Sequence, residues 1–257
     1  MPDAPLHVHL AGDPDGPPVL ALHGVTGHGL RFRPLTEALP GLRWLGVDLR
    51  GHGRSPWVPP WNLEQHVADA LGVLDAHGID RAAVVGHSFG GAIATHLART
   101  APERVTRLVL LDPAIGLDPQ DMLETAEESR EDESFPDRAA ARAAKAESWA
   151  DVPAELVDAE VDAHLEQRDG AWRWRYSRAT LVAAWGEMAR EAVVPPTGLR
   201  TLIMPATGAD FVSEKWLEAC RAELGADLTV TPVDTGHMLY LERTAEVAEH
   251  LRGFLEG

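Results

Sequence analysis

Ala82-Ala83-Val84-Val85-Gly86-His87-Ser88-Phe89-Gly90-Gly91-Ala92-Ile93-Ala94 is the stretch from which the architecture of this chain can be read outward. Ala82–Val85 is an apolar run without polar alternation, the pattern of a strand buried on both faces of a parallel sheet. Gly91–Ala94 can open a helix. Between them stands Ser88, with glycine two residues before and two after it. A sharp strand-to-helix turn needs that spacing, because side chains there would collide with neighbouring backbone. Such a turn lifts the serine hydroxyl over the sheet edge, beside a helix N-terminus that favours negative charge. Ser88 is therefore the expected nucleophile.

The same alternation extends in both directions. Trp44–Val47, Leu108–Leu111, Leu202–Met204 and Leu228–Val233 are further short apolar runs. Helical stretches lie between them. Asn62 caps one, with Gln65 in the capping-box position and Gly78 as its stop. Ser213 caps another that buries Trp216, Leu217, Cys220 and Leu224, which makes Cys220 a small core residue. A last helix runs from Thr244 through Leu255. Leu6–Leu10 and Val19–Leu22 read as a hairpin around Asp13-Pro14-Asp15-Gly16, with His7 and His9 on the wet face of an edge strand. Strands alternating with helices predict an α/β fold with a mostly parallel, doubly wound sheet.

Between Pro113 and Pro195 the alternation stops. Asp118-Pro119, Asp137 and Pro153 each open a helical pattern. Asp169-Gly170 turns a short hairpin that carries Trp172, Trp174 and Tyr176. A structureless loop of this length is improbable, so residues 113–195 are expected to form a helical cap inserted into a core of residues 1–112 and 196–257. From Asp118 to Asp169 there are 17 acidic against five basic residues, so most of the net charge of −17 is assigned to solvated helix faces of the cap.

That charge repels phosphate backbones and anionic lipid, which argues against nucleic-acid or membrane partners. No apolar run reaches the ~18 residues of a membrane span. Met1–Leu10 has no basic segment leading into an apolar core, as a secretory signal would. With one cysteine and no internal disulfide, a cytoplasmic location is expected. The twelve histidines show no H-E-x-x-H or paired spacing, so no metal site is expected.

A serine hydroxyl needs a base, and a base needs a carboxylate to orient it. His237, in Gly236-His237-Met238 just past the last strand, is the expected base. His87 is beside Ser88 but should point elsewhere, and His23 reads as a loop brace. Asp210, reached through the loop after Leu202–Met204, is the expected carboxylate. Asp112, which directly ends Leu108–Leu111, is its rival. Two N–H donors are needed for the oxyanion. Phe89, the residue after the nucleophile, offers one. Val25, in the loop His23-Gly24-Val25, offers the other.

Leu22-His23-Gly24, Asp48-Leu49-Arg50-Gly51-His52-Gly53-Arg54-Ser55, Gly86-His87-Ser88-Phe89-Gly90-Gly91 and Gly236-His237 resemble the successive signature stretches of the α/β-hydrolase superfamily. The resemblance spans both ends of the chain, with the cap least similar. Thr207-Gly208-Ala209-Asp210 only loosely resembles the usual acid-bearing loop. The serine branch of that family implies a Ser-Asp-His triad, the order Ser, acid, His along the chain, and no cofactor. A serine at the nucleophile position departs from the epoxide hydrolases and haloalkane dehalogenases, which carry aspartate there. The expected reaction is hydrolysis of a small-molecule carboxylic ester through an acyl-enzyme. Cap residues, Trp149 and Trp185 among them, would line an apolar pocket. The same triad would also serve a lactonase, C–C bond hydrolase, aminopeptidase-like enzyme or perhydrolase. A non-catalytic receptor on a hydrolase frame is a third expectation, against which an intact triad argues.

Overall fold

A computed structural model describes residues 5–131 and 133–256 of the chain. Residues 1–4, part of the stretch read for a secretory signal, lie outside it. The elements in order begin with β1 (Val8–Gly12), β2 (Pro18–Leu22), α1 (Arg33–Ala38), β3 (Arg43–Val47), α2 (Leu63–Ala76), β4 (Ala82–His87), α3 (Phe89–Thr100) and β5 (Val105–Leu111). There follow α4 (Pro119–Glu128), α5 (Arg138–Ser148), α6 (Ala154–His164), β6 (Leu165–Arg168), β7 (Ala171–Trp174) and α7 (Arg178–Met188). The chain closes with β8 (Thr201–Met204), α8 (Glu214–Leu224), β9 (Leu228–Val230), α9 (Leu239–Glu242) and α10 (Thr244–Glu256).

Seven strands form one sheet in the order β1-β3-β2-β4-β5-β8-β9. All neighbours run parallel except β1 against β3. The expected β1–β2 hairpin is therefore corrected. β1 skips its sequence neighbour and pairs antiparallel with β3, Val8 opposite Val47 and Gly12 opposite Arg43. Local turn chemistry set the reversal of direction. Which strand lay alongside was decided by β2, which takes a central place between β3 and β4, where both its faces are covered.

Two apolar layers sandwich the sheet. One, on the α2, α3 and α8 side, contains Leu20, Leu45, Val84, Ile93, Leu108 and Trp216; the other, toward α1 and α10, contains Val19, Trp44, Val85, Val109 and Leu251. Alternate residues of each strand feed opposite layers, which is why the strands carry no polar alternation. The expected caps form. Asn62, Asp118, Asp137 and Ser213 side chains accept the N–H groups of Gln65, Gln120, Ala140 and Trp216. Gln65 itself turns to Asp69 rather than back to the cap. Cys220 is buried. Between β5 and β8, α4 packs on α7 and α5 on α6. The β6–β7 hairpin turns at Asp169 and Gly170, both at positive φ, the geometry of a tight type I′ turn. Among the described residues no helix is long and apolar enough to cross a membrane.

Candidate active site

The turn between β4 and α3 has the strain its glycines announce. Ser88 sits at φ 55°, ψ −120°, outside the regions an L-residue prefers. A Cβ on Gly90 would run into the Leu22 carbonyl, and one on Gly86 into the Gly90 carbonyl. Only glycine lets β2, β4 and α3 approach this closely. The turn is held from three sides: Ser88 N–H donates to the Leu111 carbonyl at 3.1 Å, and the Ser88 carbonyl accepts from Gly91 N–H at 2.8 Å and Ala114 N–H at 3.1 Å. Ser88 is 95% buried, since its relative exposure is 5%, and its Oγ forms no hydrogen bond among the described residues.

His237 follows β9 and pairs with a carboxylate. Its Nδ1 lies 2.6 Å from Asp112 Oδ2. Asp112 is wholly buried while the His237 side chain is 26% exposed, so the carboxylate forms the floor and the imidazole faces the entrance. The expectation of Asp210 in this position is corrected. Asp210 is exposed and forms no hydrogen bond to His237. The reason lies in how β8 ends. The Met204 carbonyl accepts Asp112 N–H at 2.9 Å, and Ala206 N–H donates to Asp112 Oδ1 at 3.0 Å. The loop from β8 thus uses its backbone to hold Asp112 and carries Asp210 past the site. Its next residue, Phe211, stacks on the His237 ring with centroids 4.1 Å apart. Asp112 adopts φ 42°, a second strained non-glycine residue at the same sheet edge.

The loop after β2 supplies the other wall. A Cβ on Gly24 would lie 3.0 Å from Ser88 Cβ and 3.4 Å from Ser88 Oγ, so the backbone approaches the hydroxyl directly. Val25 N–H donates to no backbone carbonyl among the described residues. Phe89 is the first residue of α3, and its N–H has no partner inside the helix. The Val25 carbonyl is held from behind by the His52 ring. His23 braces the loop as expected. Leu49 N–H donates to its Nε2 at 3.0 Å, which leaves Nδ1 as the donor to the Gly24 carbonyl at 2.7 Å. Burial first, and His52 next, hold the His23 ring well below its ordinary pKa.

His87 has a place that sequence reasoning did not foresee. Among the described residues its side chain forms no hydrogen bond to Ser88; Nε2–H donates instead to the His237 carbonyl at 2.9 Å, and the two rings lie 4.6 Å apart. Burial, and then the neighbouring His237, push its pKa well down, so His87 stays neutral beneath the base. The signal was its position in the turn itself, one residue before Ser88.

The two tryptophans expected in a pocket separate. Trp185 packs with the layer that holds Val25 and Phe89, and its Nε1 donates to Ser129 Oγ at 2.9 Å. Trp149 packs with the opposite layer and carries the Arg31 guanidinium and Lys145 ammonium over its ring. The cavity that Trp149 lines, with Leu156 and Leu241, includes none of Ser88, His237, Val25 or Phe89. Beside it the assignment of the acidic residues of 118–169 to solvated faces meets an exception. Glu160 of α6 is 3% exposed and accepts from Arg31 and, at 2.9 Å, from His28, both on the segment following β2. Burial alone would raise the Glu160 pKa, but Arg31 and His28 hold it well below the usual carboxylate range.

Residues 17–244 match the α/β hydrolase fold family. The chain belongs to that family, and it is an enzyme of the hydrolase class. It is 42% identical over 255 residues to the lipase LipV of Mycobacterium tuberculosis, covering 97% of each chain. It is 26% identical to the esterase YbfF of Escherichia coli, over 93% of this chain and 92% of that one. Among solved structures, E-2-(acetamidomethylene)succinate hydrolase superposes with a TM-score of 0.82 at 23% identity, over 98% of this chain and 95% of the other. The enol-lactonase of Burkholderia xenovorans follows at 0.75 and 19%, over 98% and 96%. These structural likenesses establish the α/β-hydrolase fold across the whole sheet and its helices.

Proposed function

We propose that the protein hydrolyses small-molecule carboxylic esters, with Ser88 as nucleophile, His237 as base and Asp112 as the orienting acid. One observation carries this reading: His237 Nδ1 bonds to a fully buried Asp112 at the sheet edge where Ser88 occupies a strained turn. With Nδ1–H held by the carboxylate, Nε2 keeps the lone pair that accepts the Ser88 proton as Oγ attacks the ester carbonyl. The oxyanion is received by the N–H groups of Val25 and Phe89. Protonated His237 gives its proton to the leaving alcohol. It then deprotonates a water that releases the acid from Ser88. Every step uses only side chains, backbone and water, so the cycle calls for no cofactor. A neutral His87 suits this cycle, since a second charged ring at 4.6 Å would oppose the imidazolium of the transition state.

Residues 113–195 serve as the cap in this proposal, roofing the acyl pocket with Trp185 on its wall. The relatives named as lipase and esterase support an ester with an apolar acyl chain. The buried single thiol of Cys220 suits a cytoplasmic location, and the acidic surface suits neither nucleic acid nor membrane partners. A fluorophosphonate probe, followed by p-nitrophenyl esters of rising chain length, lactones and aminoacyl anilides, tests the reading. Ser88→Ala should abolish labelling and lower kcat by at least ~10³-fold in folded protein. Full esterase activity in that variant, or a preference for lactones or anilides, would overturn the assignment of nucleophile or of reaction respectively.

A further inference from the structure

Far from Ser88 in sequence, the N-terminal strand carries a feature that the hydrolytic cycle does not use. His7 and His9 are two residues apart, a spacing that puts both rings on one side of an extended chain. The wet-face expectation for them is corrected: the antiparallel pairing of β1 with β3 brings them against Asp48, at the end of β3, and Leu10 is the residue that faces out. His9 Nε2 lies 3.0 Å from Asp48 Oδ1. The two rings meet edge-on with centroids 4.5 Å apart. One ligand atom from each of His7, His9 and Asp48 falls within 4.8 Å of the others, and this is the one such group among the described residues.

We infer that His7, His9 and Asp48 bind a divalent first-row transition ion such as Zn²⁺. Two imidazoles and one carboxylate are a donor set these ions favour, leaving a fourth position for water. With bonds of about 2.1 Å and tetrahedral angles, ligand atoms stand roughly 3.4 Å apart. The His9–Asp48 gap is within a few tenths of an ångström of that. His7 can close the rest by side-chain rotation, because its ring forms no hydrogen bond. Its backbone is engaged on both sides, N–H donating to Ser55 Oγ at 2.8 Å and the carbonyl accepting Asp48 N–H at 3.0 Å, which holds the main chain while the ring stays free to turn. On binding, the ion replaces the proton shared by His9 Nε2 and Asp48 Oδ1. That proton moves to His9 Nδ1 or is released to water.

The carboxylate is already oriented for the task. Gly29 N–H donates to Asp48 Oδ1 at 2.8 Å and Arg54 N–H to Oδ2 at 3.0 Å. These are the outer-sphere bonds that fix a metal ligand in place. Arg54 contributes its backbone here, and its side chain is exposed. The ion is a structural clamp. It ties β1, an edge strand held by one neighbour, to the loop 48–55, whose His52 supports the Val25 carbonyl.

The test uses the full chain after treatment with EDTA. Co²⁺ titration should give intense visible bands of four-coordinate geometry, saturating at one equivalent and displaced by Zn²⁺. Zn²⁺ should raise Tm, and EDTA should reverse the rise. His7→Ala is the deciding variant, since it deletes one ligand and leaves the His9–Asp48 bond intact. It should melt like the metal-free wild type, bind Co²⁺ more than about tenfold more weakly, and lose the tetrahedral bands. His9→Gln, which can still donate to Asp48, should lose the bands as well. Absence of saturable Co²⁺ binding in the wild type would overturn the inference. So would a His7→Ala protein that binds as the wild type does, which would place the ion on other histidines.

Discussion

Replacing Asp112 by Asn separates the two candidate acids, and the structure fixes how the amide must sit. Asp112 Oδ1 accepts Ala206 N–H at 3.0 Å and Oδ2 faces His237 Nδ1 at 2.6 Å. In Asp112→Asn the oxygen must stay toward Ala206, because the reverse flip sets two donors against each other in a fully buried site. The NH₂ group then points at His237 and donates to Nδ1. Nδ1 becomes the acceptor, the ring proton moves to Nε2, and the nitrogen that should accept the Ser88 proton no longer has a lone pair. The wrong tautomer costs on the order of 10⁴ in kcat, about 5.5 kcal/mol of barrier. Asn tolerates the positive φ at this position better than most residues, so the fold should survive. Asp210→Asn, at an exposed site without a bond to His237, should stay within a few-fold of wild type. The assay is kcat/KM on one p-nitrophenyl ester for both variants, with thermal melts to show that each is folded. An active Asp112→Asn protein beside an inactive Asp210→Asn protein would refute the reasoning.

Further outcomes follow from the same contacts. Trp185→Ala should shift the preferred ester length and change kcat/KM by roughly 10–200-fold on the best wild-type substrate, whereas Trp149→Ala should leave the chain-length profile alone and lower stability; chain-length profiles of both variants check this. Glu160→Gln removes the carboxylate paired with buried Arg31 and should cost about 3–5 kcal/mol in denaturant unfolding, a loss that an exposed pair such as Arg130–Glu127 would not show when broken. Stability should also fall in acid. Burial pushes the His52 pKa from 6.5 down to about 4 and that of His66 down to about 3. Unfolding lets both rings take up protons, so their contribution is fully present above pH 6.5 and is lost as the pH falls toward those values. Melts from pH 8 to 4 should show that slope, and His66→Phe should flatten it if the variant folds; an unchanged slope in folded variant would remove His66 from the account.

The sequence alone carried what is local. Buried parallel strands are written as uninterrupted apolar runs, so Ala82–Val85 and Leu108–Leu111 were legible without their neighbours. Helix starts were legible at Asn62, Asp118, Asp137 and Ser213, because a cap bonds an amide only two or three residues away. The turn at Ser88 was legible because steric exclusion at Gly86 and Gly90 acts within a few residues. What only the tertiary structure decided is pairing at a distance. The β1 strand could be read as a strand but not as the neighbour of β3, since its turn does not state which edge it will reach. Asp112 and Asp210 both follow apolar runs and both precede His237, so chain order did not choose between them. The choice came from the β8 backbone, which bonds Asp112 through Met204 and Ala206 and leaves Asp210 in solvent. Glu160 looked like one more acid on a solvated helix until α6 laid it against Arg31. A carboxylate so deeply buried stays ionised because its partners hold it there, and those partners lie 129 and 132 residues away in the chain.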